Sequence, residues 1–347
     1  MIVAVDAQLA VGTATGIGEY ARGLIDALRA QGREIRELAE PALDPWRFDR
    51  RVLWDQVLLP QRARRSGADL LHCASGTMPL LLPLPAVVTV HDVAWLRVQA
   101  HAKAYARGYF GAFSVRQYRR ARAVIVDSQF SRAELLDALD LPAERVHVVY
   151  PGVAADFCAV RRESANGEPL ILVPGTVERR KNLEVLVRAL VAIPGARLVS
   201  VGPPTPYRDE CLALARRVGV ADRFEARGYV ARAELLALYA RCSVVAVPSR
   251  YEGFGYAAAQ ALCAGAPVVL SDRSSLPEIA GGDARVVPVD DVAAWSRALT
   301  ETIADPSSQA SADRARLRAR ERFAWPASAR AMGRIYDGVT GALNRRG

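Results

Sequence analysis

Two short stretches carry residue types that could act on a charged substrate. The first is SRYEGFGYAAAQALCAGAPVV, Ser249 to Val269. It places a carboxylate, Glu252, ahead of Gly253, Phe254 and Gly255, and a neutral amide, Gln260, eight positions beyond the glutamate. Glycines let a ligand approach the backbone, and the unpaired amides at a helix start attract anions. A phosphate beside Gly253, Phe254 and Gly255 is therefore chemically sensible. The spacing predicts a helix from about Tyr256, which puts residue 260 roughly 6 Å further along, within reach of a group next to the phosphate such as a ribose. Gly265 and Pro267 end that helix. An ordinary strand–turn–helix, with glycines there for packing, reads the same way on these residues alone.

The second stretch is LVPGTVERRKNLEVLVRAL, Leu172 to Leu190. A strand ending at Pro174 and Gly175 leads to Arg179, Arg180 and Lys181, and a helix starts near Lys181 or Asn182. Three cations at a strand's carboxyl end could neutralise a diphosphate. The alternative is a solvated basic turn. Lys181 stands out because 44 of the 46 basic residues are arginine, Lys103 being the other lysine.

Two weaker signals lie earlier. VGTATGIGEYARGLIDAL sets Gly12, Gly16 and Gly18 after the first strand, without the G-x-G-x-x-G dinucleotide spacing. Its Gly16-Ile17-Gly18 runs into an amphipathic helix and could close over a phosphate or an acceptor. VVTVHDVAWL sets His91 and Asp92 at the carboxyl end of a buried strand, where α/β sites are built. His91 could hydrogen-bond a sugar hydroxyl or be a satisfied structural histidine. His72, in LLHCAS, has a similar position and a poorer case.

The elements that must position these groups follow from apolar runs alternating with helical patterns. IVAVD, AVVTV, AVIVD, VHVVY, LILVP, RLVSV, SVVAVP and PVVLS read as strands apolar on both faces. That pattern indicates parallel sheets covered by helices, an α/β protein. The expected break is AVRRESANGEPL, Ala159 to Leu170, polar and turn-rich. It separates lobes 1–160 and 161–325, each Rossmann-like, with parallel sheets facing a central cleft where a ligand would lie at the strands' carboxyl ends. Residues 326–347 have helical spacing and could pack back on the first lobe.

Composition bounds the rest. A chain of 347 residues, 51% apolar, suits two folded domains. A formal charge of +9 suits phosphates, acidic lipid surfaces or nucleic acid. Five cysteines without paired spacing argue against a zinc site or disulfide framework and for a reducing, cytoplasmic setting. Met1 leads directly into the first strand, and the longest apolar run, MPLLLPLPAVVTV, is too short and proline-rich to span a bilayer.

Taken together, the stretches resemble retaining glycosyltransferases of family 4, with the GT-B fold and bacterial mannosyltransferases among its members. GTATGIGEYARGL resembles that family's first glycine-rich loop. VVTVHDVAWL, AVIVDSQFSRAEL and VHVVYPGVAADF resemble successive first-lobe landmarks, PGTVERRKNLEVLVRAL its G-T-x-x-x-R-K-N stretch, and PSRYEGFGYAAAQALCAGAPVVLSDRSSLPEIAG its main signature. The resemblance implies a donor-binding second lobe and an acceptor-side first lobe. Arg180 and Lys181 would hold the donor diphosphate, with Arg179 competing. Glu252 would bind the transferred sugar, Gly253, Phe254 and Gly255 would cradle sugar and phosphates, and residue 260 would bind the ribose. Gly16 and Gly18 would face the diphosphate, and His91 the sugar.

It further implies a nucleotide-sugar donor (GDP-mannose first, a UDP-sugar second), no cofactor, no metal and no nucleic-acid partner. Leaving-group cations then supply the electrostatic catalysis, and no carboxylate dyad is needed. The family has Glu where this chain has Gln260. An amide can still accept from one ribose hydroxyl and donate to another. Tyr256 and Ala257 depart from the Leu-Pro of many relatives.

The expected acceptor is a glycan or lipid-diphosphate-linked glycan of surface polysaccharide synthesis. RRVLWDQVLLPQRARR (Arg50 to Arg65) and YFGAFSVRQYRRARA (Tyr109 to Ala123) could touch an anionic inner membrane face, or bury their apolar sides on their own sheet. A sugar-nucleotide epimerase and a binding subunit with a degenerate site are the rival readings.

Overall fold

The computed structural model describes residues 1–12, 16–94, 108–163, 167–203, 205–305 and 307–344. The chain forms two compact units: Met1–Gly152 with Ala324–Gly347, and Val153–Phe323.

The first unit contains β1 (Ile2–Asp6), α1 (Gly16–Ala30), β2 (Glu34–Leu38), β3 (Leu70–Cys73), β4 (Ala86–Val90), β5 (Ala123–Val126), α2 (Gln129–Ala138) and β6 (Val146–Val148). Its strands are all parallel, in the order β2-β1-β3-β4-β5-β6. β3, β4 and β5 are buried at every residue, as expected where both faces of a parallel sheet are covered. One face packs on Leu24, Ile25 and Leu28 of α1 and on Met332 and Tyr336 of the C-terminal helix, Trp325–Asn344. The other face packs on Trp54, Leu59 and Leu135.

Two glycines seat the C-terminal helix. A Cβ at Gly23 would stand 2.2 Å from the Trp325 ring, and one at Gly152 would stand 2.3 Å from it. Deeper in, Tyr336 Oη lies 2.6 Å from His72 Nδ1, His72 Nε2 lies 2.8 Å from Thr89 Oγ1, and Tyr20 Oη lies 3.0 Å from the same hydroxyl. All four residues are buried. Burial pushes the His72 pKa down to about 3, so the ring is neutral at pH 7.

The second unit contains β7 (Leu170–Pro174), α3 (Leu183–Ala189), β8 (Arg197–Val201), β9 (Phe224–Ala226), β10 (Val244–Val247), α4 (Tyr256–Ala264), β11 (Val268–Ser271) and β12 (Arg285–Val287). The parallel order is β12-β11-β10-β7-β8-β9. The chain starts in the middle, builds one half outward, returns beside its start and builds the other half. The winding direction therefore reverses between β7 and β10. In such sheets ligands bind outside the carboxyl ends of the strands at that reversal.

Two features differ from the sequence reading. β2, β9 and β12 are added strands; all three are edge strands, and they are charged or only three residues long. The units divide at Gly152 and Val153, before Ala159, because the short helix Ala155–Ala159 packs against α4 and its Cys158 carbonyl accepts from Arg316 and Arg320.

Candidate active site

The reversal point is where the main candidates meet. β10 ends at Val247, and Pro248 and Ser249 carry the chain into the Glu252 loop. Serines fix that loop. Ser271 Oγ donates to Ser249 O at 2.5 Å, Glu252 N donates to Ser274 Oγ at 2.9 Å, and Ser275 Oγ donates toward Glu252 O and Phe254 O at 3.0 and 2.8 Å. Glu252 is only 6% exposed.

From the neighbouring strand, β7, the chain passes Gly175 into a turn at Arg179–Lys181. Asn182 closes the turn with φ +54, a left-handed conformation that asparagine tolerates better than most residues. Its buried Nδ2 donates to Val289 O at 2.9 Å. Arg250 latches the turn from the other side. Its backbone N donates to Arg180 O at 2.7 Å, and its guanidinium pairs with Glu184 and Asp290.

The result is a compact charge cluster. Lys181 Nζ lies 2.5 Å from Glu252 Oε1, Ser249 Oγ donates to the same oxygen at 2.7 Å, and Arg180 Nη1 lies 3.3 Å from Oε2. Burial pushes the Glu252 pKa up, but Lys181 and Arg180 outweigh it and hold the carboxyl below its ordinary value. Glu252 is therefore ionised at neutral pH. The Lys181 and Arg180 side chains remain 20% and 27% exposed, so a ligand can reach them. Arg180 also pairs with Glu178 at 2.7 Å.

Arg179 is not part of this cluster. Its guanidinium is held by both Glu210 oxygens at 2.7 Å and lies over the Tyr207 ring. The structure thus separates Arg180 and Lys181 from their neighbour, which the sequence left as a competing candidate.

Beyond Glu252, Gly255 opens α4 with φ +95, and a Cβ there would meet Leu276 Cδ2 at 2.8 Å. The left-handed backbone favours glycine, and the Leu276 methyl would have to shift for any larger residue. Gly253 and Phe254 lie just before it, at the positive end of the helix. Gln260 is half-buried one turn into α4, and among the described residues its amide makes no hydrogen bond. The cluster, the glycine turn and the amide succeed one another along one loop and helix. Sequence reasoning passed over Ser249, Ser271, Ser274, Ser275 and Arg250. The serines stand in the quoted signature, but hydroxyl-to-backbone bonds leave no pattern of their own.

The remaining candidates lie in the first unit. Gly16 is exposed at the start of α1, and residues 13–15 of its loop lie outside the described residues. Gly18 is buried, and a Cβ there would sit 2.3 Å from Leu9 O, so close packing on the turn before α1 already accounts for it. His91 has a partner at each ring nitrogen: Nδ1 lies 2.6 Å from Asp127 Oδ2 and Nε2 lies 2.9 Å from Ala74 O. Burial pushes its pKa down, but Asp127 more than offsets this and raises it. Both ring nitrogens are thus already partnered, and a sugar hydroxyl would have to displace Ala74 O to bond Nε2.

The two amphipathic stretches turn much of their apolar surface inward. In Arg50 to Arg65, Trp54, Leu59 and Ala63 are buried in the core, while Leu53 and Val57 stay exposed. Arg51 is buried against Asp55 at 2.9 Å, and Trp54 Nε1 donates to Asp6. In the second stretch, Tyr118 is buried and Tyr109 Oη donates to Asp55 at 3.0 Å. Among the described residues no helix is long and apolar enough to cross a membrane.

The fold and cluster define a class: two Rossmann-like units, the second with Lys181, Arg180 and Glu252 gathered at a sheet reversal. Residues 159–322 match the family model described as Glycosyl transferases group 1, and residues 14–157 match Glycosyltransferase Family 4. The chain belongs to this glycosyltransferase family. It is similar to the D-inositol 3-phosphate glycosyltransferase of Xylanimonas cellulosilytica, 34% identical over 63% of this chain and 57% of that protein. It is also similar to O-antigen chain mannosyltransferase B of Escherichia coli, 28% identical over 69% of this chain and 67% of that one. The chain thus spans little more than half the length of the first relative. Its fold is that of Anabaena HepE, solved in complex with UDP-glucose, at a TM-score of 0.76 and 19% identity, covering 98% of this chain and 100% of that one. This is the GT-B fold.

Proposed function

We propose that the chain is a retaining glycosyltransferase that moves a sugar from a nucleotide-sugar donor to a glycan or lipid-linked glycan acceptor in surface polysaccharide synthesis. GDP-mannose is the first candidate donor and a UDP-sugar the second. The observation that carries this reading is Glu252 held between Lys181 and Arg180 at the β7/β10 reversal.

In the resting cluster the two cations neutralise a buried carboxylate. An arriving diphosphate would share them, and negative charge growing on the leaving phosphate as the glycosidic bond breaks would be stabilised where it forms. Glu252 would then be released to accept from hydroxyls of the sugar. Phosphate oxygens would lie at the Gly255 helix start and the ribose beside Gln260. The leaving phosphate would take the acceptor hydroxyl's proton on the same face, which retains configuration. The two cations supply the charge that a metal would otherwise bring. An epimerase is disfavoured by the family match.

The acceptor would meet the first unit, at the cytoplasmic face of a membrane or in the cytoplasm. The mannosyltransferase relative supports mannose, and HepE supports the UDP alternative. The test is a panel of sugar nucleotides scored for nucleotide release with a glycan acceptor, with and without EDTA, and for product anomer by NMR. GDP-mannose turnover that survives EDTA and gives the donor's anomer is the expected result. Binding without turnover across the panel would favour the degenerate-site reading.

A further inference from the structure

A cavity of the first unit shares no lining residue with the Glu252 cluster. It holds about 850 Å³ and is lined by the start of β5, edge strand β6, α2 and the C-terminal helix. Its volume falls in the range of small-molecule sites.

Four arginines line it: Arg122, Arg132, Arg145 and Arg334. Among the described residues no carboxylate lines it, although acidic residues number 37 in the chain. Arg132 is fixed from within, its Nε donating to Val146 O at 3.1 Å and its Nη2 to Ala143 O at 3.0 Å. Arg122, Arg145 and Arg334 are exposed and have no ion-pair partner among the described residues. Four like charges around one concavity repel one another, and an anion relieves that repulsion.

The cavity also has an apolar side. Ile335 and Val339 of the C-terminal helix are half-buried and line it, with Ala123 and Val149 beneath. β6 is the last strand of the sheet, so no further strand flanks it among the described residues. A free phosphate would use the arginines and leave the apolar wall wet. A molecule with a phosphate head and a hydrocarbon segment uses both.

We propose that this cavity binds the phosphate head of an anionic lipid, with the first part of its hydrocarbon along Ile335 and Val339. The site is separate from the Glu252 cluster and does not depend on the donor assigned above. It shares Arg122 and Ala123 with the second amphipathic stretch read in the sequence and owes its other lining to β6, α2 and the C-terminal helix.

The test is titration of the full chain with dihexanoyl phosphatidic acid below its micelle concentration, by calorimetry. Glycerol 3-phosphate and dihexanoyl phosphatidylcholine are the comparison ligands. Phosphatidic acid is expected to bind at least ~10-fold more tightly than either, since each lacks one half of the recognition. The triple variant R122Q/R145Q/R334Q should lose at least ~30-fold in affinity for phosphatidic acid. Its far-ultraviolet circular dichroism and thermal unfolding should match the wild type, which certifies its fold. Should the triple variant fold poorly, Arg334→Gln alone, on an exposed helix position, should still cost about 5-fold. Unchanged phosphatidic acid affinity in a folded variant overturns the proposal. Equal binding of glycerol 3-phosphate overturns it too, because the apolar wall would then contribute nothing.

Discussion

Lys181 and Glu252 are 71 residues apart in sequence, and their side chains meet at 2.5 Å. One follows β7 and the other β10, adjacent strands at the point where the second unit's winding reverses. A buried carboxylate there would be costly alone, and the lysine makes it tolerable. The lysine in turn is held on a partly exposed face. The pair thus stabilises the resting chain, and under the proposed function it is also where the donor's diphosphate would bind.

Gln260→Glu should tighten donor binding by roughly tenfold, the worth of one charge-assisted hydrogen bond over a neutral one. Turnover should persist. Titration of both proteins with the nucleotide sugar measures this, and equal affinities would remove the ribose from the vicinity of α4.

Glu252 titrates below its ordinary value in the folded chain, despite a burial effect of opposite sign. A carboxyl with a depressed folded pKa adds stability that is complete above its unfolded pKa, about 4.3, and is lost as pH falls through the folded one. Melting curves from pH 7 down to pH 3 should therefore fall more steeply for the wild type than for Glu252→Gln. Parallel curves would mean that Lys181 and Arg180 do not act on the carboxylate as the geometry indicates.

Tyr336→Phe removes the hydroxyl that lies against His72 in a fully buried chain of hydrogen bonds. An unpaired buried ring nitrogen costs about 1–2 kcal/mol. Denaturant unfolding followed in the first unit should show that loss, with nucleotide binding by the second unit unchanged. No loss would mean that the ring finds another partner.

Gly255→Ala puts a Cβ at a left-handed position and against Leu276. Strain and displacement together should cost about 1–3 kcal/mol in stability and weaken donor binding through a shifted helix start. Unchanged donor affinity would separate the phosphate site from this turn.

Much of this was legible in the residues. IVAVD, AVVTV and LILVP are buried on both faces, and such strands announce themselves by composition. EIREL did not, because an edge strand keeps Glu34, Arg36 and Glu37 in water and breaks the apolar run. The site's two halves could be read from Glu252 with its glycines and from Arg180 with Lys181. Their meeting could not, since it depends on strand order, which no local pattern records. Nor could the sequence show that Arg179 turns to Glu210 or that both His91 nitrogens are taken, because each depends on a partner from elsewhere in the chain. Gly18 looked like a ligand glycine, and the structure supplies a packing reason in Leu9 O.

The central claim is that Lys181 stabilises charge on a departing diphosphate. The most direct measurement is single-turnover transfer by Lys181→Ala at saturating nucleotide sugar, beside the wild type. The account predicts a rate lower by about 10²-fold or more, the usual consequence of removing a group that stabilises transition-state charge. A Lys181→Ala enzyme that transfers sugar at a near wild-type rate would contradict it.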